Sequence, residues 1–481
     1  MARTAAILGG GVIGGGWAAR FLLMGWDVRV FDPSPAAEAA LAAMLDRARA
    51  ALPALYDVAL PAEGALSFHD TISDAVAGAD WIQESVPERL ELKQKLYQQV
   101  QSVCDADAVI ASSTSGFMPS ELQSCATRPE QIIVAHPFNP VYLLPLVELV
   151  GSEATGAGVL DRAENMLRTV GMSPLHVRAE IPAHIADRFL EAVWREALWL
   201  IKDGVATTGE IDDAIRMGFG LRWGQMGLFE TYRVAGGPAG MKHFIAQFGP
   251  ALEWPWTKLM DVPDLTEELI DRIAEQSDAQ SGHLSIAELE TLRDGNLVGM
   301  MRSLKARGSA VGAVLAAHEA EIAPTAPDLM VPMQTLDRVV PTDWVDQNNH
   351  MNEARYLQAI SEACDRFLLW VGVTPDYVAS GGSWFTVENH IRHLGEVRIG
   401  ARIRVVTQVL EGAGKKLRLF HSMYCGADLV ATGEQMLLHV SLETRRVAPP
   451  APDMADLIAA IAAAHAGFGM PEGAGAAIGV K

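Results

Sequence analysis

Short apolar runs alternate with helical stripes through the first third of the chain. "TAAILGG" from Thr4, "WDVRVFD" from Trp26, "DWIQES" from Asp80, "AVIASST" from Ala108, "QIIVAHP" from Gln131 and "PLVELVG" from Pro145 each read as a buried strand. "GGGWAARFLLMG" from Gly14 opens a helix between the first two. Strands separated by helical runs predict βαβ units and a parallel sheet. From about Asp187 to Glu321 the strand signal fades. "DRFLEAVWREALWLIKDG" puts Phe189, Leu190, Val193, Trp194, Leu198 and Ile201 on one helical stripe. "TTGEIDDAIRMGFG" starts on a capping Thr and ends in Gly, and "SIAELETLRDGNLVGMMRSLKARG" is helical again. This region predicts an all-α domain.

"APTAPDLMVP" (Ala323–Pro332) holds three prolines and no period, so it reads as a linker. Beyond it, the long helical pattern "NEARYLQAISEACDRFLLWVG" precedes four alternating runs: "WFTVENHIRHL", "ARIRVVTQVLE", "KLRLFHSMYC" and "QMLLHVSLE". One helix with an antiparallel sheet is an α+β domain. The Ala/Gly-rich end is expected to be loosely ordered, with a short helix. The boundaries this predicts are 1–180, 181–322, a linker at 323–330, 331–450 and a tail at 451–481.

Composition narrows the partners. The chain has 481 residues, 49% hydrophobic and 20% charged, which predicts packed domains rather than disorder. Its formal charge of −21 argues against nucleic acid and anionic membrane surfaces. Cys104, Cys125, Cys364 and Cys425 form no CxxC pair, so neither a metal site nor a disulfide framework is expected. No stretch reaches the ~18 apolar residues of a membrane span. These features predict a soluble, cytoplasmic protein with reduced thiols.

Gly9, Gly11 and Gly14 form G-x-G-x-x-G around Val12 and Ile13. The pattern follows a strand, opens a helix and is followed by a second strand ending at Asp32, which is the dinucleotide-binding context. The glycines allow close backbone approach, and the helix N-terminus offers N–H groups to a pyrophosphate. Asp32 can accept from ribose hydroxyls and repels a 2′-phosphate. No Arg follows it in "DPSPAAEAA". NAD is expected rather than NADP.

"ILGGGVIGGGWAARF", "ESVPERLELKQKL", "SSTSGF", "AHPFNP" and "PLVELV" resemble the 3-hydroxyacyl-CoA dehydrogenase superfamily over about residues 1–320. The resemblance implies that His136 is the general base, that Glu148 orients its imidazole and that Ser115 bonds the substrate oxygen. It further implies that Asn139 is a neighbouring polar contact and that Glu88 and Lys93 line the nicotinamide ribose. A histidine base suits alcohol oxidation near neutral pH, and a partner carboxylate fixes its tautomer. One position departs from the pattern: Asp187 stands where the family carries Asn. Either it still hydrogen-bonds, or its charge selects a different substrate.

"FGLRWGQMGLFETYRVAGG" resembles the branch acting on sugar acids, and "AGMKHFIAQFGPALEWPWTKLMDVPDL" resembles carnitine 3-dehydrogenases. Carnitine carries a trimethylammonium head, which aromatic faces can hold. Trp223 and Tyr232, flanked by glycines, are the cage candidates. Trp254 and Trp256 are further aromatic candidates, Trp194 and Trp199 read as core, and Arg222 is the candidate for the substrate carboxylate.

Val331–Pro450 resembles the hotdog-fold acyl-thioesterases, whose D-x-N-x-H pattern is matched by Asp346, Asn348 and His350 in "DQNNHMN". The resemblance implies that Asp346 activates water or attacks a thioester, with Asn348 and His350 orienting the reactants. The helix starting near Asn352 would polarise the carbonyl, and Glu362 is a further candidate. An Asx-rich helix cap is the alternative reading of the same residues. The fold class is thus α/β: a Rossmann dinucleotide-binding domain, an all-α domain for dimerisation and an α+β hotdog domain. The implied substrates are carnitine and betainyl-CoA, in a homodimer. A gulonate-type dehydrogenase with a thioesterase of unknown acyl group, and a non-catalytic NAD-binding protein akin to lens crystallins, remain alternatives.

Overall fold

Thr4–Leu8 (β1) is buried at every position in the computed structural model, which describes residues 3–236, 238, 240–250, 256–258 and 261–476. Burial on both faces is what a central strand of a helix-covered sheet requires. Seven further strands follow: β2 (Asp27–Phe31), β3 (Leu66–Phe68), β4 (Trp81–Glu84), β5 (Val109–Ser112), β6 (Ile132–Pro137), β7 (Leu146–Val150) and β8 (Ser173–Val177). They form one sheet in the order β3-β2-β1-β4-β5-β6-β7-β8. The first six follow the doubly wound dinucleotide-binding order. β3 and β8 escape the sequence pattern because they are short edge strands, only partly buried.

The expected parallel sheet forms, with one exception. β7 runs antiparallel to β6, pairing His136 with Glu148 directly across the ladder. Only the segment 138–145 connects them, and a parallel return needs a crossover of about a dozen residues or more. Arg20 anchors this connection. Its buried guanidinium donates to the carbonyls of Tyr142, Val170 and Gly171.

By its contacts the chain divides into two compact units. Met1–Ala51 and Pro61–His318 make the first; Leu52–Leu60 and Glu319–Lys481 make the second. In the first unit, the described residues after β8 are helices and turns, from Ala186–Lys202 to Val311–Ile322. The predicted stripe on Ala186–Lys202 is only half right. Leu198 and Ile201 are buried, but Phe189, Leu190, Val193 and Trp194 are exposed, Trp194 by 61%. Periodicity identifies the face, and only the packing decides whether anything covers it.

The second unit wraps a sheet in the order β10-β13-β12-β11-β9 around one helix, Glu353–Trp370. The strands are β9 (Met333–Val339), β10 (Gly382–His393), β11 (Arg402–Ala413), β12 (Lys416–Cys425) and β13 (Asp428–Ser441), all antiparallel neighbours. Gly433 lets the helix seat: a Cβ there would lie 2.4 Å from the Ile360 Cδ1 atom. The end of the chain is more ordered than its composition suggests. Pro452–His465 is a helix that buries Met454, Ile458 and Ile461 in the same core as Phe367 and Leu437. Alanine carries enough helix propensity, and three apolar anchors at helical spacing do the docking.

Leu52–Leu60 was unexpected in this unit. Arg338 on β9 is fully buried, lies 4.1 Å over the Trp344 ring, and pairs with Asp57 and Glu362 at 2.7 Å each. The Asp57 N–H also donates to Glu319. Asp57→Ala is expected to destabilise the second unit by about 1–3 kcal/mol, because a buried guanidinium loses one of two carboxylates. The check is the urea midpoint of that unit; an unchanged midpoint would mean Glu362 satisfies Arg338 alone.

Candidate active sites

The glycine loop is shaped by its own crowding. Gly9 has φ +98°, and a Cβ there would lie 2.6 Å from the Ser85 carbonyl oxygen; one on Gly14 would lie 1.8 Å from the Gly9 carbonyl oxygen. Gly11 is the contrast, with nothing within 4 Å of an added Cβ. It caps the helix Val12–Leu23 without a side-chain bond, and Val12, beside the half-buried Ile13, is 57% exposed. Open space over an uncapped helix N-terminus is an anion cradle, so the residues present fit the pyrophosphate of NAD. Asp32 does more than sequence suggests. Its carboxylate accepts from the N–H groups of Gly10 (2.6 Å) and Ser34 (2.8 Å), bracing the loop as well as ending β2. Asp32→Ala is expected to weaken NAD and to narrow the NAD/NADP preference by about tenfold or more, since a repelling charge is lost. Paired KM measurements check this; a native preference for NADP would refute the reading.

The antiparallel β6–β7 pair sets the second cluster. His136 Nδ1 lies 3.0 Å from Glu148 Oε2. A carboxylate only accepts, so Nδ1 donates and the Nε2 lone pair is free to face outward. The other Glu148 oxygen accepts from the N–H groups of Ile185 (2.9 Å) and Ala186 (3.0 Å), at the start of helix Ala186–Lys202. Burial pushes the Glu148 carboxyl up, but the bonds from His136, Ala186 and Ile185 outweigh it and hold it below its ordinary value. Asp187 Oδ2 stands 3.6 Å from His136 Nε2. Burial raises Asp187 above its usual range, and the neighbouring Glu148 adds to that. The Phe138 ring meets His136 edge-on at 4.9 Å, and Asn139 follows it, exposed.

His184 is a neighbour that the sequence reading missed. It is fully buried with its ring 5.6 Å from that of His136, and its Nε2 is 3.3 Å from the Thr114 carbonyl. Burial lowers its pKa, which keeps it neutral. Ala183 and His184 both have positive φ, at 61° and 47°, and nothing in "PAHIAD" announces that conformation.

Lys93 belongs to a larger buried network, with the exposed Glu88 at its rim. Lys93 Nζ, almost wholly buried, lies 2.7 Å from Glu84 and 3.1 Å from Glu88. Glu84 also accepts from Tyr97 and Ser112, both at 2.6 Å. Glu88 accepts from the Thr114 hydroxyl and the Gly116 N–H, holding the loop on which Ser115 sits exposed. Burial opposes its ionisation, but Thr114 and Lys93 outweigh that and keep its carboxyl low. Among the described residues no hydrogen bond joins Ser115 to His136. Glu84 was findable: a carboxylate ending a buried strand demands a partner.

The residues expected to form an aromatic cage have separate ring contacts among the described residues. Trp223 packs on Phe219 at 4.7 Å, whereas Tyr232 stacks on Phe244 at 4.6 Å. No ring contact joins the two, and Arg222 is exposed. Trp199 is half-buried and lies under Lys202 and Lys258. Trp256 is exposed, and Trp254 lies outside the described residues.

In the second unit, Asp346, Asn348 and His350 fall on one tight turn. The Asp346 N–H donates to the His350 carbonyl, and Asp346 Oδ1 accepts from the N–H groups of Asn348 (2.8 Å) and His350 (3.3 Å). Asn349 supplies the left-handed residue, at φ 59°. Asn352 caps the helix Glu353–Trp370 by accepting from Ala354. The cap and the acid cluster are thus separate residues. His350 Nε2 is 3.6 Å from Glu396. Glu362 faces Arg338 instead of this turn, and burial pushes its pKa up.

An NAD cradle beside a carboxylate–histidine pair, followed by a hotdog domain, defines an NAD-dependent 3-hydroxyacyl-CoA dehydrogenase-type oxidoreductase joined to a thioesterase-like domain. Family comparison gives the same division. Residues 4–181 match "3-hydroxyacyl-CoA dehydrogenase, NAD binding domain", 184–272 its C-terminal domain, and 340–458 the "Thioesterase-like superfamily". The chain is 63% identical to the L-carnitine dehydrogenase/betainyl-CoA thioesterase of Ruegeria pomeroyi, covering 99% of both. It therefore belongs to the family of L-carnitine dehydrogenase/betainyl-CoA thioesterases. An L-carnitine dehydrogenase of Pseudomonas aeruginosa is 55% identical over 63% of this chain and 96% of its own. Among solved structures, an NAD-dependent 5-formyl-3-hydroxy-2-methylpyridine 4-carboxylic acid 5-dehydrogenase superposes with a TM-score of 0.54 at 28% identity, covering 63% of this chain and 99% of that one.

Proposed function

We propose that this chain oxidises L-carnitine to 3-dehydrocarnitine and hydrolyses betainyl-CoA to glycine betaine and CoA. The observation that carries the reading is identity to the Ruegeria bifunctional relative over essentially the whole chain, with a histidine–carboxylate pair in the first unit. NAD, when bound, supplies the hydride acceptor. His136 Nε2 takes the hydroxyl proton as the carbinol carbon becomes a ketone, and Glu148 steadies the imidazolium. Glu88 and Thr114 hold the Ser115 loop, from which the hydroxyl can bond the substrate oxygen. Helix Ala186–Lys202 starts on Glu148, which ties the α-helical part of the unit to the base. In the second reaction, Asp346 activates water for attack at the thioester carbonyl, or attacks it directly to form an anhydride that water then hydrolyses. The C–S bond breaks, releasing betaine carboxylate and CoA thiol.

The test is NAD reduction with L-carnitine, gulonate and 3-hydroxybutyryl-CoA in parallel, alongside thiol release from betainyl-CoA, acetyl-CoA and longer acyl-CoAs. Selective turnover of carnitine and betainyl-CoA is expected; gulonate as the better alcohol would overturn the first half.

The working form is taken to be a cytoplasmic homodimer. All four cysteines are free thiols. Met217, Phe229 and Ile286 on the helical part of the first unit are each about 70% exposed, and pairing with a second copy would cover such apolar side chains. Light scattering is expected to give twice the chain mass; a stable monomer at micromolar concentration would contradict it.

A further inference from the structure

We infer that Asp187 is the residue that selects a cationic substrate, holding the trimethylammonium group by charge at the reaction centre itself. The inference rests on carnitine being the alcohol oxidised. Glu148 occupies His136 Nδ1, so the substrate hydroxyl must approach Nε2. Asp187 Oδ2 already lies 3.6 Å from that nitrogen. In carnitine the ammonium nitrogen sits on the carbon next to the carbinol carbon, three covalent bonds from the hydroxyl oxygen. A hydroxyl seated on Nε2 therefore carries the cation into the neighbourhood of Asp187.

The carboxylate is suited to that charge. Its side chain is 20% exposed, and among the described residues the only basic side chain within 4 Å of its carboxylate is His136. Burial raises its pKa, and Glu148 and Glu191 add to the rise, while His136 and His184 oppose it. An arriving cation relieves what burial and the two acids impose. A quaternary ammonium has no proton to donate, so its attraction to a carboxylate is Coulombic, undirected and strengthened by the low local dielectric. An amide at position 187 would offer no such attraction. Among the described residues, Trp223 and Tyr232 pack on different rings, Phe219 and Phe244, and not on each other.

The experiment compares L-carnitine with the isostere 3-hydroxy-5,5-dimethylhexanoate, in which carbon replaces the ammonium nitrogen, so that the head group is uncharged while the carboxylate is kept. Wild-type enzyme and the Asp187→Asn and Asp187→Ser variants are assayed with saturating NAD, and NAD binding by fluorescence titration confirms folding. Wild type is expected to favour carnitine strongly. Both variants are expected to lose about a hundredfold in kcat/KM for carnitine, mainly through KM, while the isostere changes only a few-fold. If Asp187 merely positions His136, both substrates fall together, and that result overturns the proposal. So does a carnitine preference that survives in the variants, or failure of both variants to bind NAD, which would make Asp187 structural. Wild type that ignores carnitine would instead overturn the proposed function. Wild type that oxidises carnitine while the variants keep their preference overturns this inference alone.

Discussion

His136→Ala is expected to lower carnitine-dependent NAD reduction by about 10²–10⁴-fold while leaving NAD binding intact. The geometry separates the two effects. His136 is the penultimate residue of β6, and its Nδ1 contact is Glu148; among the described residues none of its hydrogen bonds reaches the glycine loop or Asp32. Removing the imidazole removes the proton acceptor, and Glu148 cannot substitute, because both its oxygens are committed, one to His136 and one to the N–H groups of Ile185 and Ala186. The loss should appear in kcat, since proton removal is part of the chemical step. Rates and NAD affinity measured on the same preparation decide it. Activity within threefold of wild type would remove His136 from the mechanism.

Asp346→Asn is expected to abolish thiol release from betainyl-CoA without changing carnitine oxidation. An amide can neither attack a carbonyl nor accept a proton from water. It still presents an Oδ1 acceptor, so the bonds from the Asn348 and His350 N–H groups, and hence the turn, can be kept. That makes the substitution a test of chemistry and not of folding. Thiol release from betainyl-CoA, with carnitine oxidation as the internal control, gives the answer. Wild-type hydrolysis by the variant would leave the acid with a purely structural part in this turn.

The N-terminal strands and the glycine loop are legible in the sequence because their signals are local. Apolar runs need burial on both faces, and G-x-G-x-x-G between strand and helix has one common use. The split of the dehydrogenase residues between "AHPFNP" and "PLVELV" is legible too, although only as a resemblance. That β7 turns back antiparallel is implicit in the eight residues from 138 to 145, yet the sheet pattern of the earlier strands hides it. The register that sets His136 opposite Glu148 then follows from the hairpin. Edge strands β3 and β8 carry too few buried positions to be seen.

What tertiary structure alone decided is long-range. Asp187 is about fifty residues from His136 in sequence and comes to Nε2 only because helix Ala186–Lys202 starts on the Glu148 carboxylate. His184 reaches the same place through two positive-φ residues. The stripe from Phe189 to Ile201 has the right period, but period cannot say which part of a stripe is covered. The hydrogen-bonded chain Thr335–Thr407–His421–Gln435–Asn389, buried as far as Gln435 and ending on the exposed Asn389, crosses the second sheet through side chains on five strands, burial pushing His421 down to about 4, and no window of sequence contains it. Leu52–Leu60 is read locally as part of the first domain, yet Asp57 answers the charge of Arg338, 281 positions on. Local pattern determines which elements form and which faces are apolar. Pairing of buried charges is set by distance in space, and distance along the chain does not encode it.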